Sequence, residues 1–100
     1  MKTYVIRRRN GWNSTRDLEN SAALSLEIGN NEMSHQIRWI RTYVVSEDNG
    51  TLGTVCIYQA ISPAALREHA NRVGMPANEI TEVENTVIIR DDPLEKEAAA

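Results

Sequence analysis

The strongest constraint on the fold comes from a strand and a helix that follow one another in the second half of the chain. Residues 54–60 alternate β-branched and aromatic side chains with small and polar ones, a pattern that predicts a strand. The next segment is predicted to be a helix that begins after Ser62, a good N-cap, with a proline in its first turn and Gly74 at its end. Cys56, the only cysteine of the chain, lies on this strand, and His69, one of two histidines, lies on this helix.

The remaining segments complete a β-α-β-β-α-β order. They are predicted as a strand over residues 3–8, a helix from about residue 16 to residue 28, a strand over residues 37–45 and a last extended region over residues 80–89. Ser14 or Thr15 can cap the first helix, although the alternation of apolar residues over 24–28 also permits a strand there. An Asn-Gly pair, the strongest short hairpin signal, joins the second strand to the third.

This order is that of a ferredoxin-like α+β sandwich, in which two helices cover one face of a four-stranded antiparallel sheet. One domain is predicted over residues 1–92, with residues 93–100 as a frayed, partly helical tail. Alternation along the second strand places Trp39, Arg41 and Tyr43 on one face. Because the helices leave the opposite face of the sheet bare, we expect a homodimer of the dimeric α+β barrel type.

Composition argues against several classes of protein. A net charge of −3 and an isoelectric point near 5.3 disfavour nucleic-acid binding, and the run from Arg7 to Arg9 is interpreted as a solvated strand end. A single cysteine cannot form an intramolecular disulfide, which fits a reducing compartment. Because the chain shows neither a secretory signal nor an apolar segment long enough for a membrane, we expect a cytoplasmic protein with no membrane partner.

Three motifs resemble a known family. They are the strand Trp39-Ile-Arg-Thr-Tyr43, the strand Cys56-Ile-Tyr58, and a helix that runs from Arg67-Glu-His-Ala to Gly74-Met-Pro-Ala. At these spacings they resemble the DUF4242, or nickel-binding-protein-like, family of small bacterial proteins. The resemblance implies a ferredoxin-like dimer that binds nickel and has no agreed enzymatic activity. Arg41 stands where members of that family often carry a histidine.

The residues themselves are compatible with a metal site. His69 lies on the apolar stripe of its helix, and Cys56 could approach it if the cysteine faces the helix layer. A thiolate and an imidazole suit nickel, zinc or copper, and His35 or a carboxylate, from the same chain or from across the dimer, could complete the shell. The plainer interpretation is that Cys56 is a small buried apolar residue and His69 a hydrogen-bonded core residue.

A second interpretation is a dimeric small-molecule-binding protein or enzyme. Here Trp39, Tyr43 and Tyr58, with Arg41, would line an apolar pocket on the sheet face, and His69 or Cys56 would serve as acid, base or nucleophile. The chain has no phosphate-binding loop, dinucleotide-binding glycine motif or paired-cysteine zinc motif, so no organic cofactor is indicated. We therefore predict a small, non-enzymatic metal-binding protein and keep the small-molecule interpretation as the alternative.

Overall fold

The computed structural model describes residues 1–92, and its order of elements confirms the predicted ferredoxin-like α+β fold. The elements are β1 (Lys2–Trp12), α1 (Thr15–Asn31), β2 (Ile37–Ser46), β3 (Leu52–Ala60), α2 (Pro63–Val73) and β4 (Glu79–Glu82). The four strands form one sheet in the order β2-β3-β1-β4, and every neighbouring pair is antiparallel. Side chains from β1, β3 and both helices meet in one apolar core.

Both helices begin where their capping residues predict, and α2 ends where predicted, but α1 continues past its predicted end at residue 28 to Asn31. The Ser14 hydroxyl accepts a hydrogen bond from the Asp17 amide at the start of α1, and the Ser62 hydroxyl accepts one from the Ala65 amide at the start of α2. Gly74 ends α2 with φ +84°, a left-handed conformation that glycine adopts without steric cost. Residues 24–28 are helical, so the strand alternative for that segment is wrong.

Strand alternation on β1 buries a charged residue. Tyr4, Ile6 and Arg8 point into the core together, and Arg8 is only 1% exposed. The interpretation of the arginine run as a solvated strand end is therefore wrong for its middle member. β1 also continues past residue 8, the predicted end of the strand, because an irregular register before Trp12 accommodates the extra residues and Asn10 adopts φ +53°.

A β-bulge on β2 divides the residues that were expected to share one face. Trp39 and Arg41 pair with consecutive residues of β3, so Ile40 is left without a partner in the ladder. Thr42 consequently takes the helix-facing side, together with Trp39, whereas Arg41 and Tyr43 lie on the open side of the sheet. The predicted alternation is thus wrong beyond Trp39, because the extra residue reverses the direction of each later side chain.

The chain after β4 crosses the open face of the sheet. The predicted last extended region is a paired strand only over Glu79–Glu82, yet Arg41 on the far edge strand donates to Asp92, with 2.6 Å between Nη1 and Oδ2. Between residues 83–92 and the sheet lies a groove of about 720 Å³. The predicted tail at 93–100 falls outside the described residues. Neither α1 nor α2 is long and apolar enough to cross a membrane.

Candidate functional site

Cys56 faces the helix layer, which settles the orientation that the sequence left open. Its side chain is buried, and two donors from neighbouring strands reach its sulfur. Nη1 of Arg8 lies 3.2 Å from Sγ, and Oγ1 of Thr42 lies 3.2 Å from it on the other side. The Thr42 oxygen itself accepts a 2.7 Å hydrogen bond from Nε1 of Trp39, which leaves its own proton free to point at the sulfur.

The Arg8 guanidinium has no acidic partner among residues 1–92. Its Nε donates to the carbonyl oxygen of Pro76 at 2.7 Å, its Nη1 donates to Cys56, and its Nη2 has no hydrogen-bond partner there. A guanidinium stays protonated in proteins, and a buried charge is costly unless an opposite charge or hydrogen bonds compensate it. The buried charge of Arg8 therefore has two hydrogen-bond acceptors in the described chain, the carbonyl oxygen of Pro76 and the sulfur of Cys56.

His69 belongs to a second polar group in the core. Its Nε2 lies 3.0 Å from the backbone oxygen of Ser25 and 3.4 Å from the hydroxyl of the same residue. That hydroxyl is 3.3 Å from the phenol oxygen of Tyr58, whose ring is tilted against the imidazole. Burial raises the pKa of Tyr58 above its ordinary value, so the phenol stays protonated at neutral pH.

The hydrogen bonds of His69 define its tautomer. A carbonyl oxygen only accepts, so Nε2 carries the proton that is donated to Ser25. Burial lowers the pKa of His69, which keeps the imidazole neutral near pH 7. Nδ1 is then an unprotonated nitrogen, and it is buried with no hydrogen-bond partner among the described residues. The imidazole thus presents a free lone pair inside the core.

The three predicted metal ligands do not converge. Cys56 bonds to Arg8 and Thr42, whereas His69 bonds to Ser25, and no residue hydrogen-bonds to both. His35 lies exposed in the turn between α1 and β2. Within residues 1–92, no three histidine, cysteine or acidic side chains are close enough together to hold a metal ion.

The predicted aromatic pocket is divided in the same way. Trp39 and Tyr58 stack on the helix-facing side, with ring centres 6.0 Å apart and planes within 8° of parallel. Tyr43 and Arg41 lie on the opposite side of the sheet, at the groove under residues 83–92. The bulge at Ile40 is the cause, since it places the two halves of β2 out of phase.

Four residues of this region were not singled out from the sequence, namely Arg8, Ser25, Thr42 and Thr54. The alternation of Tyr4, Ile6 and Arg8 on β1 was a usable signal for the buried arginine, because it continues the apolar face. Thr42 carried no such signal, since its direction depends on the bulge.

A family model described as "Nickel responsive protein SCO4226-like" matches residues 4–83. Among solved structures, the crystal structure of SCO4226 from Streptomyces coelicolor A3(2) aligns with a TM-score of 0.67 at 17% sequence identity. The alignment covers 85% of this chain and 99% of that one, and at this identity it shows the fold alone. No curated protein sequence matches the chain significantly.

Proposed function

Because this chain belongs to the SCO4226-like family of nickel-responsive proteins, we propose that it is a small non-enzymatic protein that binds nickel or a similar borderline divalent cation. Membership under this family name agrees with the nickel association implied by the DUF4242 resemblance. The free Nδ1 of His69 is the observation that identifies a candidate metal ligand.

The protonation state and the hydrogen bonds of His69 are those of a typical metal-binding histidine. Metal-bound imidazoles are neutral and commonly donate their second ring N–H to a carbonyl or carboxylate, which orients the ring. Here Nε2 donates to Ser25 and the lowered pKa keeps the ring neutral. Imidazole nitrogen suits nickel, copper and zinc, so copper and zinc are expected to compete.

Cys56 fits less well than the sequence suggested. Its sulfur is in hydrogen-bond contact with a guanidinium, and a divalent cation on that sulfur would lie next to a buried positive charge. His35, the other histidine, is exposed and would form a separate water-accessible site. Glu32, three residues earlier in the chain, could add a carboxylate only by leaving its ion pair with Arg72. We therefore assign the metal to the imidazoles and leave Cys56 out of the ligand set.

Calorimetric titration with nickel tests this assignment. Wild type is compared with His69→Gln, His35→Gln and Cys56→Ser, each checked for folding by circular dichroism. We expect His69→Gln to raise the Kd of the tighter of the two nickel sites by at least about tenfold, because the variant loses one good ligand contact. Cys56→Ser is the matched control and should bind nickel as wild type does. Loss of binding in Cys56→Ser together with retention in both histidine variants would refute the assignment.

We further propose that the protein is a homodimer whose interface is the open face of the sheet. Ile40 and Tyr43 are 44% and 49% exposed there, and Val87, Ile88 and Ile89 in the crossing segment are at least 74% exposed. A group of exposed apolar residues that lie together is typical of an association surface. Interface burial would remove most of this area from water.

Sedimentation at micromolar concentration tests the dimer. Ile88→Asp should produce a monomer, because a carboxylate would be buried without a partner in the interface. Leu26→Asp is the matched control, since Leu26 is 51% exposed on α1, away from the open face. A monomeric wild type, or a dimer that only Leu26→Asp disrupts, would refute the proposed interface.

A further inference from the structure

Two hydrogen-bond donors converge on the sulfur of Cys56. Arg8 is fully buried, touches no carboxylate among residues 1–92, and directs Nη1 at the sulfur. Thr42, oriented by the indole of Trp39, directs a hydroxyl at the same atom. One of the two donors is thus a buried cation, and hydrogen bonds from a charged donor are stronger than those between neutral groups.

A small cavity adjoins this sulfur. It measures about 30 Å³, room for one or two water-sized molecules, and its rim includes the half-buried side chains of Leu18, Ala22 and Met75. Arg8, Thr54 and Cys56 all line it. Nη2 of Arg8 and Oγ1 of Thr54 are both buried without a hydrogen-bond partner in the described chain.

These unpartnered atoms are an independent sign of a ligand, because buried polar groups normally have partners. A guanidinium N–H donates, and a hydroxyl both donates and accepts, so together they match a small molecule that carries oxygen atoms. The ligand must also be compact, because the cavity has room for only one or two water-sized molecules. Hydrogen peroxide has this size and these hydrogen-bonding groups.

We propose that Cys56 is a peroxide-reactive cysteine, and that Arg8, Thr42 and Thr54 hold the sulfur and the peroxide in position for the reaction. The sulfur attacks one peroxide oxygen, an S–O bond forms as the O–O bond breaks, and the second oxygen leaves as hydroxide, which takes up the proton that the thiol gives up and becomes water. The sulfur is oxidised by two electrons to sulfenic acid and the peroxide is reduced by two electrons. This proposal is independent of nickel binding, because Cys56 is outside the metal ligand set.

The sequence and the burial of Cys56 also predict what happens to the sulfenic acid that the reaction forms. The chain has no second cysteine, so the sulfenic acid cannot become an intramolecular disulfide. Burial shields it from a partner protein's thiol, and the cavity is too small for bulky hydroperoxides. We therefore expect a persistent sulfenic acid formed by hydrogen peroxide and a much slower reaction with cumene hydroperoxide.

The test is the rate of sulfenic acid formation in the full-length protein, followed by dimedone trapping and intact-mass spectrometry. Wild type should react with hydrogen peroxide at least about tenfold faster than the same chain unfolded in urea, because a charge-assisted hydrogen bond to the reacting atom is worth roughly that factor. Cys56→Ser provides the blank. If the folded wild type reacts no faster than the unfolded chain, the proposal is wrong, and this result does not depend on whether any variant folds.

Variants then test the roles of the neighbouring residues. Thr42→Val should slow the reaction by about tenfold, and Thr42→Ser, which keeps the hydroxyl, should restore it. Thr54→Val should slow the reaction without unfolding the protein, because it removes only an unpartnered hydroxyl. Equal rates for wild type and both valine variants, or equal rates with hydrogen peroxide and cumene hydroperoxide, would contradict the proposed geometry.

Discussion

Two threonines on neighbouring strands should respond in opposite ways to the same substitution. Thr54 is 2% exposed and its hydroxyl has no hydrogen-bond partner among residues 1–92. Leaving a buried hydroxyl unpaired costs about 1–3 kcal/mol. Thr54→Val replaces that hydroxyl with a methyl group of similar size, so we expect the free energy of unfolding to rise by about 1 kcal/mol, the lower end of that range. For a chain of this length the melting temperature should rise by about 4–8 °C.

Thr42→Val makes the same atomic change where the hydroxyl has partners. Oγ1 of Thr42 accepts from the indole of Trp39 at 2.7 Å and donates to Cys56 at 3.2 Å. Each of these hydrogen bonds makes a net contribution of about 0.5–1.5 kcal/mol, so the loss of both should lower the free energy of unfolding by about 1–3 kcal/mol.

Urea denaturation of wild type and the two variants, followed by circular dichroism, measures both changes on one scale. The variants differ only in which strand carries the valine, so each serves as the control for the other. If Thr54→Val instead lowers the free energy of unfolding by 1 kcal/mol or more, the hydroxyl of Thr54 has a partner and the cavity argument is wrong.

Three further changes test the fold and the electrostatics. Gly53→Ala should lower the free energy of unfolding by about 1–3 kcal/mol, because the new Cβ would lie 2.6 Å from the backbone oxygen of Arg8, and thermal denaturation measures the loss. Ser62→Ala should cost about 1 kcal/mol by removing the cap that binds the Ala65 amide, and a wild-type urea midpoint in this variant would contradict the capping role. His69→Gln should reduce the pH dependence of the free energy of unfolding. Folding lowers the pKa of His69 from 6.5, so the unfolded chain binds a proton at a higher pH than the folded chain does. Wild-type stability therefore falls as the pH drops below about 6.5. Urea midpoints from pH 7.5 to 5 should show this decline in wild type and a flatter profile in the variant.

The elements that could be predicted from the sequence are those set by local chemistry. Ser62 and Gly74 bound α2 through a side-chain cap and a left-handed residue, and both act within one turn of the chain. The strand containing Cys56 was identified from its alternation and the turn before it. The position of His69 on the buried stripe of α2 also followed from helical periodicity, and the residue is 1% exposed.

The candidate site was less predictable because it depends on features that no local pattern encodes. The bulge at Ile40 reverses the direction of the residues after it, so Thr42 meets Cys56 while Tyr43 turns to the open face. The sequence likewise did not show which face of β3 meets the helices, and this decides whether Cys56 lies among polar donors or at a dimer interface. Arg8 was misjudged because a run of arginines suggests solvent, whereas strand alternation buries the middle one.

The central claim is that nickel binds through the free nitrogen of His69, and imidazole 15N NMR tests it most directly. Before metal is added, the spectrum should show a neutral ring with the proton on Nε2, as the hydrogen bond to Ser25 requires. Nickel added below equivalence should shift or broaden the Nδ1 signal of His69 before it affects the backbone amide 15N signals of Cys56 or its strand neighbours. An unchanged His69 spectrum at nickel concentrations that saturate the protein would contradict the account.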